Sequence, residues 1–311
     1  MYSGTLTDIT GIRVGHYTNT DALTGCTVVL FDDGAVCGVD VRGAAPGTRE
    51  TDLLRGFNLV EKVNAILLSG GSAYGLSAAD GVMRYLEKNE KGVVSLGVTV
   101  PIVPAAVIFD LAIGNAAIRP NSENGEEACL NATDDPVLQG RIGVGVGATV
   151  GKLLGGLYQA RGGVGSASIR LPNNIIVSAL IAVNSAGDVY DHRSGRIIAG
   201  ANKNGEFLNC LDHLLQGNDE RPEIGSNTTI GVIATNARLT REQSNRLATI
   251  AHDGLAMAVR PVHTQFDGDT LFGASTCEID VPFDMLLQIF AAASEVTARA
   301  VANAVRASEE V

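Results

Sequence analysis

The amino-acid sequence predicts an α/β protein in which sheets lie between layers of helices. Short apolar runs bounded by turn residues alternate along the 311 residues with longer segments of helical periodicity. The chain is 45% hydrophobic and contains 37 glycines, whereas aromatic residues make up only 5%. This composition predicts a core of Ala, Val, Leu and Ile with tight turns and close backbone packing.

Four short apolar runs are predicted to form buried strands, because each ends at turn residues. They are residues 26–31, 65–69, 175–183 and 229–235. The last run follows a polar stretch without an intervening turn.

Three further segments are predicted to be helices. Residues 77–88 form the first, and Thr240 with Gln243 has the spacing of a capping box that opens the second. Residues 283–306 form the third, which is apolar almost all round up to Ala293. Such a helix is expected to be buried against a sheet on most sides.

A glycine-rich motif covers residues 143–147 and is followed by Gly151. It resembles a nucleotide-binding loop, but it lacks the G-x-G-x-x-G spacing and the Gly-Lys-Ser/Thr ending of a P-loop. Glycine-rich strands in a crowded sheet, where backbones approach closely, are the favoured interpretation.

Charge and cysteine usage exclude several classes of protein. The net charge of −11 disfavours a nucleic-acid partner. The five cysteines are scattered without a C-x-x-C pair, which indicates free thiols in a reducing compartment. No signal peptide is predicted at the start, and the longest apolar stretch, residues 98–118, is interrupted by two prolines and Asp110. We therefore expect a cytoplasmic, soluble protein with no membrane partner.

The bond between Asn227 and Thr228 separates a predicted linker, residues 215–226, from an apolar strand. A cut at this bond would leave Thr228 at the exposed start of a buried strand, with a free α-amino group of pKa about 8. Threonine activated by its own amine is a known kind of nucleophile. The alternative is an ordinary loop-to-strand junction, because threonine suits strands.

A cut at this bond would divide the chain into residues 1–227 and 228–311. The smaller piece opens with a core strand and cannot be an independent domain. The sequence therefore predicts a single domain, residues 1–311, with an internal processing site.

Asp267 and Asp269 are separated by a single glycine. In an extended segment residues two apart point to the same face, so the two carboxylates would lie side by side with room between them. They could hold a nucleophile or its ammonium group. A metal site is not predicted, because the oxygen-ligand ladder of a calcium loop is missing, and a plain polar turn is the other interpretation.

The five histidines are His16, His192, His213, His252 and His263. None lies in a metal-binding pair such as H-E-x-x-H, and the chain has no G-x-S-x-G elbow. Each histidine is therefore interpreted as structural or exposed. A hydrolase without a histidine base or a metal needs another base, and an N-terminal amine is one.

Several longer motifs carry a resemblance to a known family. They are LTDITGIRVGH at 6–16, DVRGAAPGTRET at 40–51, GGSAYGL at 70–76, GRIG at 140–143 and GGVG at 162–165. Over nearly its whole length the chain resembles the P1 family of self-processing peptidases and amidases. That family includes L-aminopeptidase/D-amidases, β-aminopeptidases and nylon-oligomer (6-aminohexanoate) endo-hydrolases, and the local features are most similar to the nylon-oligomer type.

The resemblance implies roles for the residues around the candidate bond. Thr228 matches the nucleophile freed by self-cleavage, and Asn227 precedes it as in the nylon-oligomer hydrolases. Asp267 and Asp269 match the acidic pair of those enzymes.

Three more residues match positions of the family site. Asn184 corresponds to an asparagine that helps to form the oxyanion hole, and Tyr74 to a substrate-binding tyrosine at the pocket. Lys152 matches a lysine near the nucleophile, where it would either tune the threonine or pair with one aspartate.

The family resemblance also implies a fold, an activity and an assembly. The fold would be a four-layer αββα sandwich, similar to N-terminal nucleophile hydrolases with different connectivity. The activity would be hydrolysis of amide bonds in short peptides or 6-aminohexanoate oligomers, without a cofactor. The alternatives are an aminopeptidase acting on N-terminal residues, including β- or D-residues, and an acyltransferase similar to ornithine acetyltransferase. A homotetramer or larger homo-oligomer is expected.

Overall fold

The computed structural model describes residues 1–217 and 227–309. In this part of the chain the strands are β1 (Ile12–Asn19), β2 (Thr24–Val41), β3 (Thr48–Arg49), β4 (Lys62–Ser69), β5 (Val93–Ser95), β6 (Val98–Val100), β7 (Ala105–Val107), β8 (Thr149–Val150), β9 (Ala160–Arg161), β10 (Gly163–Arg170), β11 (Ile176–Asn184), β12 (Asp188–Tyr190), β13 (Ile197–Ala199), β14 (Asn202–Lys203), β15 (Glu206–Phe207), β16 (Thr228–Ala237), β17 (Val259–Arg260) and β18 (Thr270–Ile279).

The α-helices of the described residues are α1 (Ala78–Lys88), α2 (Ser122–Leu130), α3 (Cys210–Leu215), α4 (Arg241–Ala258) and α5 (Met285–Glu309). Short 3-10 turns cover Leu6–Asp8, Asp52–Leu54, Ser72–Ser77, Gly143–Gly145, Lys152–Leu154 and Pro172–Asn174.

Nine strands form one continuous hydrogen-bonded sheet, which divides at β2 into two halves, termed the first and the second sheet, because the two ends of this strand pair with different neighbours. The first half of β2 pairs antiparallel with β1 and β4, and residues 36–41 pair antiparallel with β18. The register with β4 shifts between Leu30 and Ala35. Gly34 lies in this bend with a φ of +71°, a left-handed conformation that favours glycine.

The two sheets have different strand orders. The first runs β1-β2-β4-β7-β3, and the second runs β10-β11-β16-β18-β2. In the second sheet only β16 and β18 are parallel neighbours; the other pairs are antiparallel. Strand β16 therefore has a hydrogen-bonded strand on each side.

Apolar side chains of the two sheets meet in a central core, where Val29 and Leu68 of the first sheet lie in one cluster with Val232 and Phe272 of the second. Helices α1 and α2 contribute to a separate core on the outer face of the first sheet. Helices α4 and α5 cover the outer face of the second sheet. The order of layers is helix, sheet, sheet, helix, which confirms the predicted αββα sandwich.

The predicted elements are confirmed as parts of this sandwich. The four apolar runs lie in β2, β4, β11 and β16, and residues 77–88 and 283–306 lie largely in α1 and α5. Thr240 caps α4 by accepting a hydrogen bond from the Gln243 backbone N–H. Helix α5 is long and apolar enough to cross a membrane, but much of it is buried against β10 and β11, as expected of a core helix.

The prediction of glycine-rich strands at residues 143–147 was wrong in conformation. Gly143–Gly145 is a 3-10 turn, and Gly143 has a φ of +53°. The close backbone approach is nevertheless present, since a Cβ on Gly145 would lie 2.4 Å from the Val164 nitrogen. Gly145 is required because a larger residue would prevent this turn from packing against β10.

The predicted linker, residues 215–226, lies mostly outside the described residues, which resume at Asn227. Its first residue, Leu215, is the last residue of α3. The single domain, residues 1–311, and its division into residues 1–227 and 228–311 stay a prediction.

Candidate active site

Thr228 is the first residue of β16 and lies opposite Asn184 of β11. Its side chain is 3% exposed. The exposure expected after a cut stays a prediction, and in the continuous chain the start of this strand is covered. The reason is that Asn227, which is itself fully buried, forms a bridge with Asp267 and covers the end of the strand.

The carbonyl oxygen of Asn227 accepts two hydrogen bonds. One comes from the Gly268 backbone N–H at 2.9 Å, and the other comes from the Thr228 hydroxyl. The hydroxyl oxygen therefore lies beside the carbonyl group of the bond that is predicted to break. Gly268 makes this approach possible, because a Cβ on Gly268 would lie 2.8 Å from Thr228 Oγ1 and 2.7 Å from the Ala45 carbonyl oxygen.

Asp269 connects the start of β16 to the turn before β18. Its Oδ1 accepts a hydrogen bond from the Thr229 backbone N–H at 2.6 Å, and its Oδ2 lies 2.8 Å from His263 Nδ1. The carboxylate thus holds the peptide group that immediately follows Thr228. Sequence reasoning assigned it to the Thr228 amine, which is one residue earlier.

Asp267 is buried next to Asp269, as the spacing predicts. Its Oδ2 accepts a hydrogen bond from the Thr264 backbone N–H at 2.7 Å. Burial and the negative charge of Asp269 raise the pKa of Asp267 to about 6, and the positive charge of Lys152 opposes this rise. Asp267 can therefore take up a proton near pH 6.

Asn184 is bound to three elements by its side-chain amide. Its Oδ1 accepts hydrogen bonds from Lys152 Nζ at 2.8 Å and from the Thr149 backbone N–H at 3.0 Å. Its Nδ2 donates to the Phe109 carbonyl oxygen at 3.2 Å. These partners fix which end of the amide is the donor, because the ammonium group of Lys152 and an N–H can only donate.

Lys152 opens a 3-10 turn directly after Gly151, whose φ is +72°. Its Nζ also donates to the Asn184 carbonyl oxygen at 2.9 Å. Burial lowers the pKa of Lys152 to about 7, although the charges of Asp267, Asp269 and Asp110 favour its protonated form. A lysine that exchanges its proton near pH 7 is suited to acid–base chemistry.

Tyr74 lies apart from this cluster, on the 3-10 turn Ser72–Ser77. Its side chain is 60% exposed, and the guanidinium of Arg119 lies 3.8 Å from the centre of its ring. The turn is tied to the site indirectly. Gly71 N–H donates to Asp110 Oδ1 at 2.7 Å, and Asp110 interacts electrostatically with Lys152.

The structure thus brings together Thr228, Asn227, Asp267, Asp269, Asn184 and Lys152, while Tyr74 lies on a neighbouring exposed turn. Sequence reasoning missed His263 and Asp110. His263 precedes the acidic pair by a few residues, which was an available signal, and Asp110 is an ionisable residue inside an apolar run. Among residues 1–217 and 227–309 no cluster of three His, Cys, Asp or Glu side chains could hold a metal ion.

Replacing Asp267 is expected to change how the stability of the uncut chain depends on pH. The pKa of Asp267 in the folded chain is about 6, above its ordinary value of 3.8. The folded state therefore holds this proton more tightly than the unfolded state does. The stabilisation that the bound proton provides is present at low pH and is lost as pH rises through the folded pKa of about 6. As pH rises through this range, the free energy of unfolding of the Thr228→Ala chain should fall by on the order of 1–3 kcal/mol more than that of the Thr228→Ala/Asp267→Asn chain.

Urea unfolding of both variants at pH values between about 4.5 and 7 measures this difference. Both proteins carry Thr228→Ala, so they differ only at Asp267. Parallel stability profiles would contradict the raised pKa.

Two solved structures with the same architecture are aminopeptidases. A β-aminopeptidase of Burkholderia sp. matches with a TM-score of 0.73 and 20% identity, over 99% of this chain and 88% of that chain. The L-aminopeptidase D-Ala-esterase/amidase of Ochrobactrum anthropi, described as a new variant among the Ntn hydrolase fold, matches with a TM-score of 0.73 and 18% identity, over 99% and 87% of the two chains. The fold is therefore that of the Ntn hydrolase aminopeptidases.

The chain belongs to peptidase family S58, whose family model matches residues 4–311. An uncharacterized aminopeptidase of Mycobacterium leprae is 44% identical over 98% of this chain and 91% of its own length. A 6-aminohexanoate-oligomer endohydrolase of Kocuria sp. is 31% identical, over 88% of this chain and 76% of its own length. Membership of this family makes the protein a hydrolase of the peptidase and amidohydrolase class.

Proposed function

We propose that this protein is a self-processing amidohydrolase in which Thr228 becomes an N-terminal nucleophile. The observation that carries the proposal is the position of the Thr228 hydroxyl, which donates to the carbonyl oxygen of Asn227. That oxygen also accepts the Gly268 N–H at 2.9 Å. Membership of peptidase family S58 supports the same assignment.

The first stage is cleavage of the bond between Asn227 and Thr228. Thr228 Oγ1 attacks the Asn227 carbonyl carbon, and the Gly268 N–H stabilises the negative charge that develops on the oxygen. The C–N bond then breaks, the proton lost by the hydroxyl passes to the Thr228 nitrogen, and an ester joins Asn227 to the threonine oxygen. Water hydrolyses this ester to give the Asn227 carboxylate and a free Thr228 amine and hydroxyl.

The second stage is hydrolysis of a substrate amide. The free amine of Thr228 takes the proton of its own hydroxyl and returns it to the leaving amine. Asp269 fixes the adjacent peptide by its 2.6 Å bond to the Thr229 N–H, so the position of Thr228 in the site is defined. Asn184 is proposed as the donor to the oxyanion, and water resolves the acyl-enzyme. This chemistry requires no cofactor.

The proposed substrates are short peptides or oligoamides such as 6-aminohexanoate oligomers. Relatives named as 6-aminohexanoate-oligomer endohydrolases support oligoamides. Relatives named as aminopeptidases reach 44–46% identity and favour removal of N-terminal residues as the second candidate.

Product analysis with the purified, cleaved enzyme tests the function. We expect internal cleavage of 6-aminohexanoate oligomers. Release of single N-terminal residues from short α-, β- or D-peptides, with the oligomers untouched, would establish the aminopeptidase instead. Transfer of the acyl group to added ornithine in preference to water would indicate an acyltransferase. The Thr228→Ala protein, purified in the same way, controls for contaminating peptidases.

We also propose that the protein acts in the cytoplasm as a homo-oligomer of four or more copies. Its five cysteines are free, and four of them are buried. Phe283, just before α5, and Leu287, in its first turn, are 87% and 78% exposed and line the same surface pocket, which supports a covered apolar surface. Light scattering in solution would measure the number of copies.

A further inference from the structure

His263 lies in the turn before β18 and faces the carboxylate of Asp269. Its Nδ1 is 2.8 Å from Asp269 Oδ2, and its backbone N–H donates to the same oxygen at 3.2 Å. The side chain of His263 is 17% exposed, while that of Asp269 is 1% exposed. Both oxygens of Asp269 accept backbone N–H groups, and this network assigns the ring hydrogen to His263 Nδ1.

The two oxygens of Asp269 have separate tasks. Oδ2 is occupied by His263, which leaves Oδ1 directed at the Thr229 backbone N–H at 2.6 Å. Without the imidazole donor, Oδ2 would keep only the longer bond from the His263 backbone N–H, and the carboxylate could turn more readily about its terminal torsion, which has a broad energy minimum. His263 therefore fixes the orientation of the group that holds the peptide next to Thr228.

A second histidine supports the ring of His263. The rings of His252 and His263 meet edge to face with centroids 4.8 Å apart, and His252 Nε2 lies 3.0 Å from the Asp40 carbonyl oxygen. Burial lowers the pKa of His252 to about 4, so this ring is neutral at physiological pH. His263 is thus held between a neutral ring and a carboxylate.

We propose that His263 is a positioning residue for the reaction, acting through Asp269 to orient the peptide between Thr228 and Thr229. The proposal rests on the function proposed above, in which the Thr228 amine is the base. The amine is one residue from the Thr229 N–H that Asp269 holds. A turn of that peptide would move the amine and the hydroxyl of Thr228 together, away from the Gly268 N–H and from Asn184 on the neighbouring strand.

Three substitutions separate positioning from simple filling of space. His263→Ala removes the ring, His263→Asn puts an amide N–H close to the position of Nδ1, and His263→Gln puts one close to the position of Nε2. We expect His263→Ala to lower kcat about 100-fold with KM little changed, because small misplacements of reacting groups cost rates of this size. His263→Asn should restore most of kcat, and His263→Gln should not.

Equal kcat in the alanine variant and the wild type, or equal kcat in the asparagine and glutamine variants, would overturn the proposal. If the alanine variant does not fold, the comparison of asparagine with glutamine decides.

A measurement that needs no activity separates this proposal from the proposed function. The histidine ring ¹⁵N spectrum of the uncut Thr228→Ala chain should show His263 protonated on Nδ1, and Asp269→Asn should alter that signal. A ring protonated only on Nε2 would overturn the proposal. If the wild type hydrolyses no amide but the spectrum is as expected, the proposed substrate chemistry fails. The rate of cleavage at Asn227–Thr228 in the three His263 variants then decides the positioning role.

Discussion

Thr228→Ala is expected to leave the chain in one piece of 311 residues and to abolish amide hydrolysis. Alanine lacks the hydroxyl that contacts the Asn227 carbonyl oxygen, so neither the acyl shift nor the release of the amine can occur. Loss of a catalytic nucleophile typically costs on the order of 10⁴-fold in rate or more. Mass spectrometry under denaturing conditions measures the first effect, and substrate hydrolysis the second.

Thr228→Ser is the matched control, because serine keeps the hydroxyl and loses only a methyl group. It should still break between residues 227 and 228. Two fragments that meet at this bond in the wild type and in the serine variant, beside one intact alanine variant, are the expected result. A wild-type chain that stays whole under native conditions, or an alanine variant that is cut at the same bond, would contradict Thr228 as a self-generated nucleophile.

Asn184→Asp is expected to lower kcat by about 10²–10³-fold with a small change in KM, as is typical when one oxyanion donor is lost. Aspartate keeps an oxygen for Lys152 and for the Thr149 N–H, but it has no N–H of its own. The substitution therefore removes the donor function of the side-chain amide and keeps its acceptor function. Steady-state kinetics of fully cleaved enzyme measures the effect.

Asn184→Ala is the companion variant, because it removes both sides of the amide. If donation to the oxyanion is the role of Asn184, the aspartate and alanine variants should lose comparable activity. If the role of Asn184 is to hold Lys152, the aspartate variant should remain active and the alanine variant should not. A kcat near that of the wild type in both variants would exclude both roles.

Short-range patterns predicted the elements of the fold, and long-range pairing decided the rest. The apolar run at 26–31 predicted a strand, but β2 continues to Val41 because its second half finds a different neighbour, β18. No local signal specifies that pairing. The glycines at 143–147 predicted close packing, yet whether they form strands or a turn depends on β10, which lies across from them.

The site was predictable to the same extent. The spacing of Asp267 and Asp269 predicted two neighbouring carboxylates, and the resemblance supplied Asn184 and Lys152. The hydrogen bond from the Thr229 N–H to Asp269 was not predictable, because it depends on the register between β16 and β18. The contact between His263 and Asp269 arises in an irregular turn, where side-chain direction does not follow from periodicity.

Strand β16 begins at the predicted break and runs between β11 and β18 in the middle of its sheet. The peptide link before it would then be needed to thread this strand into place during synthesis, and would be dispensable afterwards. The mature enzyme would consist of two chains, and the continuous chain from which it folded would no longer exist. After complete unfolding its fragments would have to find each other by diffusion, so we expect its lifetime to be set by the barrier to unfolding and not by a reversible equilibrium.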